Sequence, residues 1–160
     1  ALVGCEFKGD PDSSGGPRTR PAGSDQTARS AAEAWRPAPV AMRIYPATRF
    51  DQQEGQTVLR ASIELFDAMG DTVKAPGRLR FELFAANQRG QAGQRLYRWQ
   101  VSLRTLAQQR QYFDLVTRTY TVRLAVDQPK VADRRTLLRA TFTRPSGTRL
   151  QAEGLIPVEW

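Results

Sequence analysis

The sequence predicts an all-β fold, a single antiparallel two-sheet β-sandwich of about seven or eight strands over residues 40–160, behind an extended tether over residues 1–39. Three observations predict it. From residue 40 onward, apolar and polar residues alternate with the period of two that is typical of strands packed on one face. Short segments rich in Gly, Pro, Asn and Asp separate the alternating runs. The chain has 160 residues, a usual length for one domain.

Residues 1–39 differ in composition from the rest of the chain. The stretch from Gly9 to Gly23 consists mainly of Gly, Pro, Ser and Asp, with almost no apolar side chain. Such a stretch cannot bury enough surface to offset the entropy that ordering would cost, so we expect a flexible tether. Trp35, near its end, is expected to dock either on the domain or on another chain.

The strands follow from the alternation. They are expected at 42–45, 58–66, 78–86, 95–103, 119–126, 135–143, and in two final segments at 148–152 and 155–158. In the fourth of these runs, Tyr97 and Trp99 alternate with polar residues, so we expect them in the core. The alternation stops after residue 103, where Thr105 is predicted to cap a short helical crossover that ends near Phe113.

The composition excludes several kinds of active site. The chain has no histidine and a single cysteine, which rules out a Ser-His-Asp triad, a Cys-His dyad and a histidine-ligated zinc site. Asp67 and Asp71 flank Gly70 in a loop that is either a calcium site or a hairpin turn, and the small number of acidic ligands favours the turn. We therefore expect no catalytic residue, no metal and no cofactor.

The positive charge belongs to the predicted sandwich. The net charge is +8, and residues 1–39 carry five basic and five acidic groups, so the whole excess lies beyond them. Seven arginines at polar strand or loop positions are candidates for an anion-binding surface: Arg78, Arg80, Arg98, Arg118, Arg123, Arg135 and Arg139. Two interpretations stay open. These arginines either recognise anionic lipid head groups, glycans or proteins, or they form a solvated face whose stems cover apolar atoms.

The N-terminus resembles the lipobox of bacterial lipoproteins. Leu2-Val3-Gly4-Cys5 places a small residue before a cysteine, and a Gly/Pro/Ser-rich linker follows. In that family the peptide before the cysteine is removed and the cysteine receives lipid. The resemblance implies lipid on Cys5, an extracytoplasmic location in the periplasm or at the cell surface, and, because Glu6 follows the cysteine, attachment to the outer membrane.

A second stretch, from Ile63 to Gly77, is similar to the strand–turn–strand of transthyretin-like and carboxypeptidase-regulatory-like β-sandwiches, so the domain resembles a transthyretin-like or immunoglobulin-like sandwich. An apolar strand ends at Asp67, Gly70 follows, and a Val-Lys segment leads to a turn of small residues. The resemblance implies the fold and carries little about function, because such sandwiches support many activities.

We expect a non-enzymatic structural or interaction protein, a peripheral subunit or surface component of a larger extracytoplasmic assembly. Its partners are expected to be proteins, and Cys5 is expected to hold it at the membrane. Trp35 and Trp160 are candidate docking residues, and Trp160 either tucks into the edge of the sandwich or contacts the partner. The alternative is a binding module whose arginine-rich face recognises anionic glycan or lipid head groups. No nucleic acid is expected, because the sequence carries no aromatic-basic signature of a known nucleic-acid module.

Overall fold

The computed structural model describes residues 37–157, and within this range it confirms the predicted two-sheet β-sandwich. Most of the predicted tether, including Cys5 and Trp35, lies outside the described residues, as does Trp160. In chain order the elements are β1 (Ala41–Ile44), β2 (Arg49–Gln53), β3 (Gln56–Phe66), β4 (Arg78–Ala86), β5 (Ala92–Ser102), α1 (Leu106–Tyr112), β6 (Phe113–Asp114), β7 (Thr119–Val126), a 3₁₀ turn (Pro129–Val131), β8 (Thr136–Thr143) and β9 (Arg149–Ile156).

The strands form two antiparallel sheets. In sheet I, β1 and β2 both lie along one edge of β3, followed by β7 and then the two-residue β6. Sheet II has the order β5-β4-β8-β9. Because side chains alternate across a strand, each sheet turns one set of residues towards the other sheet and the opposite set outward.

The inward set builds one core between the sheets. Leu59, Ala61 and Ile63 from sheet I are fully buried. Leu79, Phe81 and Leu83 of β4 are equally inaccessible, and Leu138, Ala140 and Phe142 of β8 complete the sheet II side. The alternation that predicted these strands is therefore the alternation between core and surface.

The structure has more strands than the alternation predicts. Strand β2 carries Arg49, Phe50, Asp51 and two glutamines, so a single apolar residue gives no visible period. Its pairing with β3 is fixed by the tight turn between them, where Glu54 and Gly55 both have positive φ angles of 52° and 79°. Two successive positive φ angles match the twist of a two-residue hairpin. At the other end of the chain, the two predicted final segments are one continuous strand, β9.

The predicted helical crossover is present as α1. Thr105 caps it through a capping box: the Thr105 hydroxyl accepts from the backbone N–H of Gln108, and the Gln108 side chain accepts from the backbone N–H of Thr105. Such reciprocal bonds satisfy two amide donors that would otherwise lack partners.

Gln109 anchors α1 to the sandwich. Its amide nitrogen donates to the carbonyl oxygens of Ala75 and Leu103, at 2.9 and 2.6 Å. Its amide oxygen accepts from the hydroxyl of Tyr120, at 2.5 Å, and that hydroxyl accepts from the Ala75 N–H at 3.1 Å. One side chain thus joins the helix, the segment before β4 and strand β7.

Tyr97 and Trp99 lie at inward positions of β5 but remain only half-buried, because β5 is the edge strand of sheet II. Their rings stack with centroids 5.1 Å apart. The Trp99 indole N–H donates to the carbonyl of Ala125 in sheet I, and the Tyr97 hydroxyl accepts from the N–H of Gln128. The pair closes this side of the sandwich.

No helix in the described range has the length and hydrophobicity needed to cross a membrane.

Candidate functional site

The seven predicted arginines do not form one cluster. Arg78, Arg80, Arg98 and Arg139 share the outer face of sheet II, and Arg123 lies on the outer face of sheet I. The other two occupy loops. Arg118 donates to the carbonyl of Thr72 at 3.3 Å, and Arg135 donates to the carbonyl of Gln88 at 3.4 Å. The outer face of sheet II is therefore the surface that brings most of the predicted residues together.

Strand register makes this face a grid of four rows that run from β5 across β4 and β8 to β9. The first row is Ser102, Arg78, Thr143 and Arg149; the second is Gln100, Arg80, Thr141 and Gln151; the third is Arg98, Glu82, Arg139 and Glu153; the fourth is Arg95, Phe84, Leu137 and Leu155. Directly opposed side chains on such rows lie about 5 Å apart at Cβ. The face thus changes from a cationic end, through a row of mixed charge, to a row in which three residues are apolar and Arg95 is charged.

The third row holds two basic and two acidic side chains, and three of the four are ion-paired. Glu82 is paired with Arg95 of the fourth row at 3.0 Å, and Glu153 is paired with Arg139. Exposed pairs of this kind contribute little stability, but they remove charge from the middle of the face.

The first two rows carry cationic groups without acidic partners in the described part of the chain: Arg78, Arg80 and Arg149. The Nε atom of Arg80 is buried and has no hydrogen-bond acceptor among these residues. An unsatisfied buried donor costs about 1–3 kcal/mol, and more when it is charged. This end of the face therefore carries three guanidinium groups without an acidic partner among residues 37–157.

The fourth row is the apolar end. Phe84 and Leu137 are buried, and the guanidinium of Arg139 covers the Phe84 ring at 4.8 Å from its centroid. Leu155, beside Leu137 on the edge strand, remains 48% exposed.

The Asp67 loop has the geometry of a turn. One carboxylate oxygen of Asp67 accepts from the backbone N–H groups of Met69 and Asp71, at 2.9 and 3.0 Å, and Gly70 has a φ of 88°. This is the arrangement of an Asp-stabilised turn, which was the favoured interpretation. Within residues 37–157 no three acidic or cysteine side chains gather closely enough to hold a metal ion.

Two arginines of the face lie outside the seven candidates: Arg95, which the sequence already places at a polar strand position, and Arg149, which sequence reasoning missed. Their membership depends on how β5 and β9 pair with their neighbours, and strand register is a tertiary property. The alternation within each strand shows which residues share a side, but it does not show which strands are neighbours.

No protein-family model matches the sequence, and no curated protein matches it.

Proposed function

We propose that this chain is a non-enzymatic interaction protein, a peripheral subunit or surface component of a larger extracytoplasmic assembly, anchored to the outer membrane by lipid on Cys5. Its docking surface is the outer face of sheet II, and the surface of its partner is acidic. Trp35 and Trp160, on segments that flank the sandwich in sequence, are further candidates for contact with that partner.

The observation that carries this proposal is the unpaired cationic end of the face. Arg78, Arg80 and Arg149 all lack acidic partners among residues 37–157. Carboxylates of a partner would pair with these guanidinium groups, and a bond between charged groups is worth more than a neutral one. Protein interfaces combine such charged groups with apolar contacts, and the exposed Leu155 offers one at the opposite end of the face.

The test is gentle extraction of the full chain from its native membrane, followed by mass spectrometry of the proteins that come with it. The face variant R78Q/R80Q/R149Q is compared with the control variant R89Q/R104Q/R110Q, whose three arginines are exposed, lie off the face and also lack ion pairs in the described range. Both variants lose the same net charge. We expect defined partners with the wild type and the control variant, and their loss with the face variant.

The second candidate is recognition of anionic glycan or lipid head groups. It is favoured by the presence of unpaired arginines on both outer faces, because a charged polymer or membrane can contact either. Binding of this kind weakens steeply with salt and depends on total charge. On this second view, both triple variants lose binding to phosphatidylglycerol vesicles equally.

A further inference from the structure

Three arginines form a row across the outer face of sheet I. In the register of the sheet, Arg49 of β2 lies opposite Arg60 of β3, and Arg60 lies opposite Arg123 of β7. Their neighbours Phe50, Leu59 and Leu124 point into the core, so the arginines point outward. Like charges directly opposite each other destabilise a sheet, and here two such pairs stand side by side.

A single carboxylate organises two of these arginines. Asp51 Oδ1 lies 3.0 Å from Nε of Arg49, and Asp51 Oδ2 lies 3.1 Å from Nε of Arg60. Arg123 has no acidic partner within residues 37–157. The cluster therefore holds three positive charges and one negative charge. We call these four side chains the arginine cradle.

The arginine cradle has many more donors than acceptors. Each guanidinium carries five N–H donors in a fixed fork, whereas a carboxylate offers about four acceptor positions. Asp51 contacts Arg49 and Arg60 most closely at Nε, and these contacts orient both guanidinium groups. Their terminal Nη donors outnumber the acceptor positions that remain on Asp51. Donors fixed in advance lose less entropy when they bind a ligand.

A depression of about 210 Å³ lies beside the cradle, lined by Asp51, Gln52, Gln53, Val58, Arg60 and Arg123. Since a water molecule occupies about 30 Å³ in the liquid, the depression has room for a small anion in place of water. The Gln52 amide is held by a bond to the Thr57 hydroxyl at 3.0 Å, which fixes one wall.

We infer that the arginine cradle is a binding site for a tetrahedral oxyanion, the phosphate or sulfate group of a small molecule or of a larger ligand. The excess charge of the cradle, two positive units, matches a phosphate group, which carries about −1.5 to −2 near neutral pH. Arginine forks bind such oxygens in pairs. The site lies on sheet I, so it is independent of the proposed docking face on sheet II.

The test titrates inorganic phosphate and inorganic sulfate into the full chain at constant ionic strength, with chloride as the reference anion. Binding is followed by NMR through the arginine Nε–H signals. We expect saturable shifts of the Arg49, Arg60 and Arg123 signals. R123Q, at an exposed position, is expected to weaken binding by about tenfold or more, because it removes charged hydrogen bonds. R110Q, at an exposed arginine of α1 outside both sheet faces, is the control and is expected to change binding less than twofold.

D51N separates orientation from charge. It raises the net charge by one, so a purely electrostatic site would bind phosphate more tightly. The cradle, which depends on Asp51 to orient two guanidiniums, is expected to bind less tightly. Thermal unfolding of each variant without added anion verifies that the sandwich is intact.

The source of the oxyanion is distinguished by two soluble esters, glycerol 1-phosphate and N-acetylglucosamine 6-sulfate. Tighter binding of glycerol 1-phosphate than of phosphate indicates a lipid head group. Tighter binding of N-acetylglucosamine 6-sulfate than of sulfate indicates a sulfated glycan. Equal binding of ester and ion indicates the free ion. The inference is overturned if neither ion nor ester saturates the three signals, if R110Q weakens binding as much as R123Q, or if D51N tightens it.

Discussion

Replacing Gln109 by alanine tests whether one side chain holds the crossover helix α1 on the sandwich. The Gln109 amide makes three hydrogen bonds, to the carbonyls of Ala75 and Leu103 and to the hydroxyl of Tyr120. Ala75, Leu103 and Tyr120 are all buried, so water does not readily replace the lost partner. The alanine variant leaves two carbonyls and one hydroxyl short of a bond.

The magnitude follows from the number of bonds. A typical hydrogen bond contributes about 1 kcal/mol net, so the loss of three predicts destabilisation of about 3 kcal/mol. The control is Gln111→Ala, on the same helix, where the side chain is exposed and makes no hydrogen bond within residues 37–157. Both variants gain the same helix propensity, so their difference isolates the anchoring bonds.

The assay is equilibrium urea unfolding of the full chain, followed by tryptophan fluorescence. We expect the free energy of unfolding of Gln109→Ala to fall about 3 kcal/mol below that of Gln111→Ala, with the same dependence on urea. A difference below about 1 kcal/mol would refute the reasoning, since it would mean that the three bonds are replaced at little cost.

Three further predictions concern the sandwich. Burial raises the pKa of Tyr120, against the opposing effect of its bonds to Ala75 and Gln109. The stability that the neutral hydroxyl contributes is therefore complete below the unfolded tyrosine pKa of about 10, and it is lost as the pH rises above that value towards the folded pKa. Between about pH 8 and pH 11, the free energy of unfolding should decline less in Tyr120→Phe than in the wild type. Gly77→Ala places a methyl group against the Phe142 ring and 2.7 Å from the carbonyl oxygen of Thr143, which predicts that the free energy of unfolding in urea falls by about 1–3 kcal/mol. Gly154→Ala, whose new contacts to Ile44 begin at 3.5 Å, is its control and should cost clearly less. Thr105→Ala removes the cap of α1 and should cost about 1 kcal/mol, whereas a change below about 0.3 kcal/mol would show that the capping box contributes little.

The fold was predictable where one side of a strand meets the core. Strand β4 alternates Leu79, Phe81 and Leu83 with charged residues, and all three leucine and phenylalanine side chains are fully buried. Strand β2 was not predictable, because pairing with β3 stabilises it rather than an apolar face of its own. A strand with one apolar residue carries no period for sequence reasoning to detect.

Less of the candidate sites than of the fold could be predicted from the sequence. Arg78 and Arg80 were assigned to a polar strand side, but their proximity to Arg149 depends on the order β4-β8-β9. Arg49 and Arg60 were not singled out, since their meeting with Arg123 requires the unpredicted strand β2. Long-range pairing, rather than local composition, brings these guanidiniums together.

The most direct test of the proposed function compares arginine reactivity in native membranes and in the purified full chain. An arginine-selective dicarbonyl reagent modifies exposed guanidiniums, and mass spectrometry gives the rate at each position. We predict that Arg78 and Arg149 react several times more slowly in the membrane assembly than in the purified chain, whereas the off-face residues Arg89, Arg104 and Arg110 react at unchanged rates. Equal rates at Arg78 and Arg149 in the two preparations would contradict docking through the outer face of sheet II.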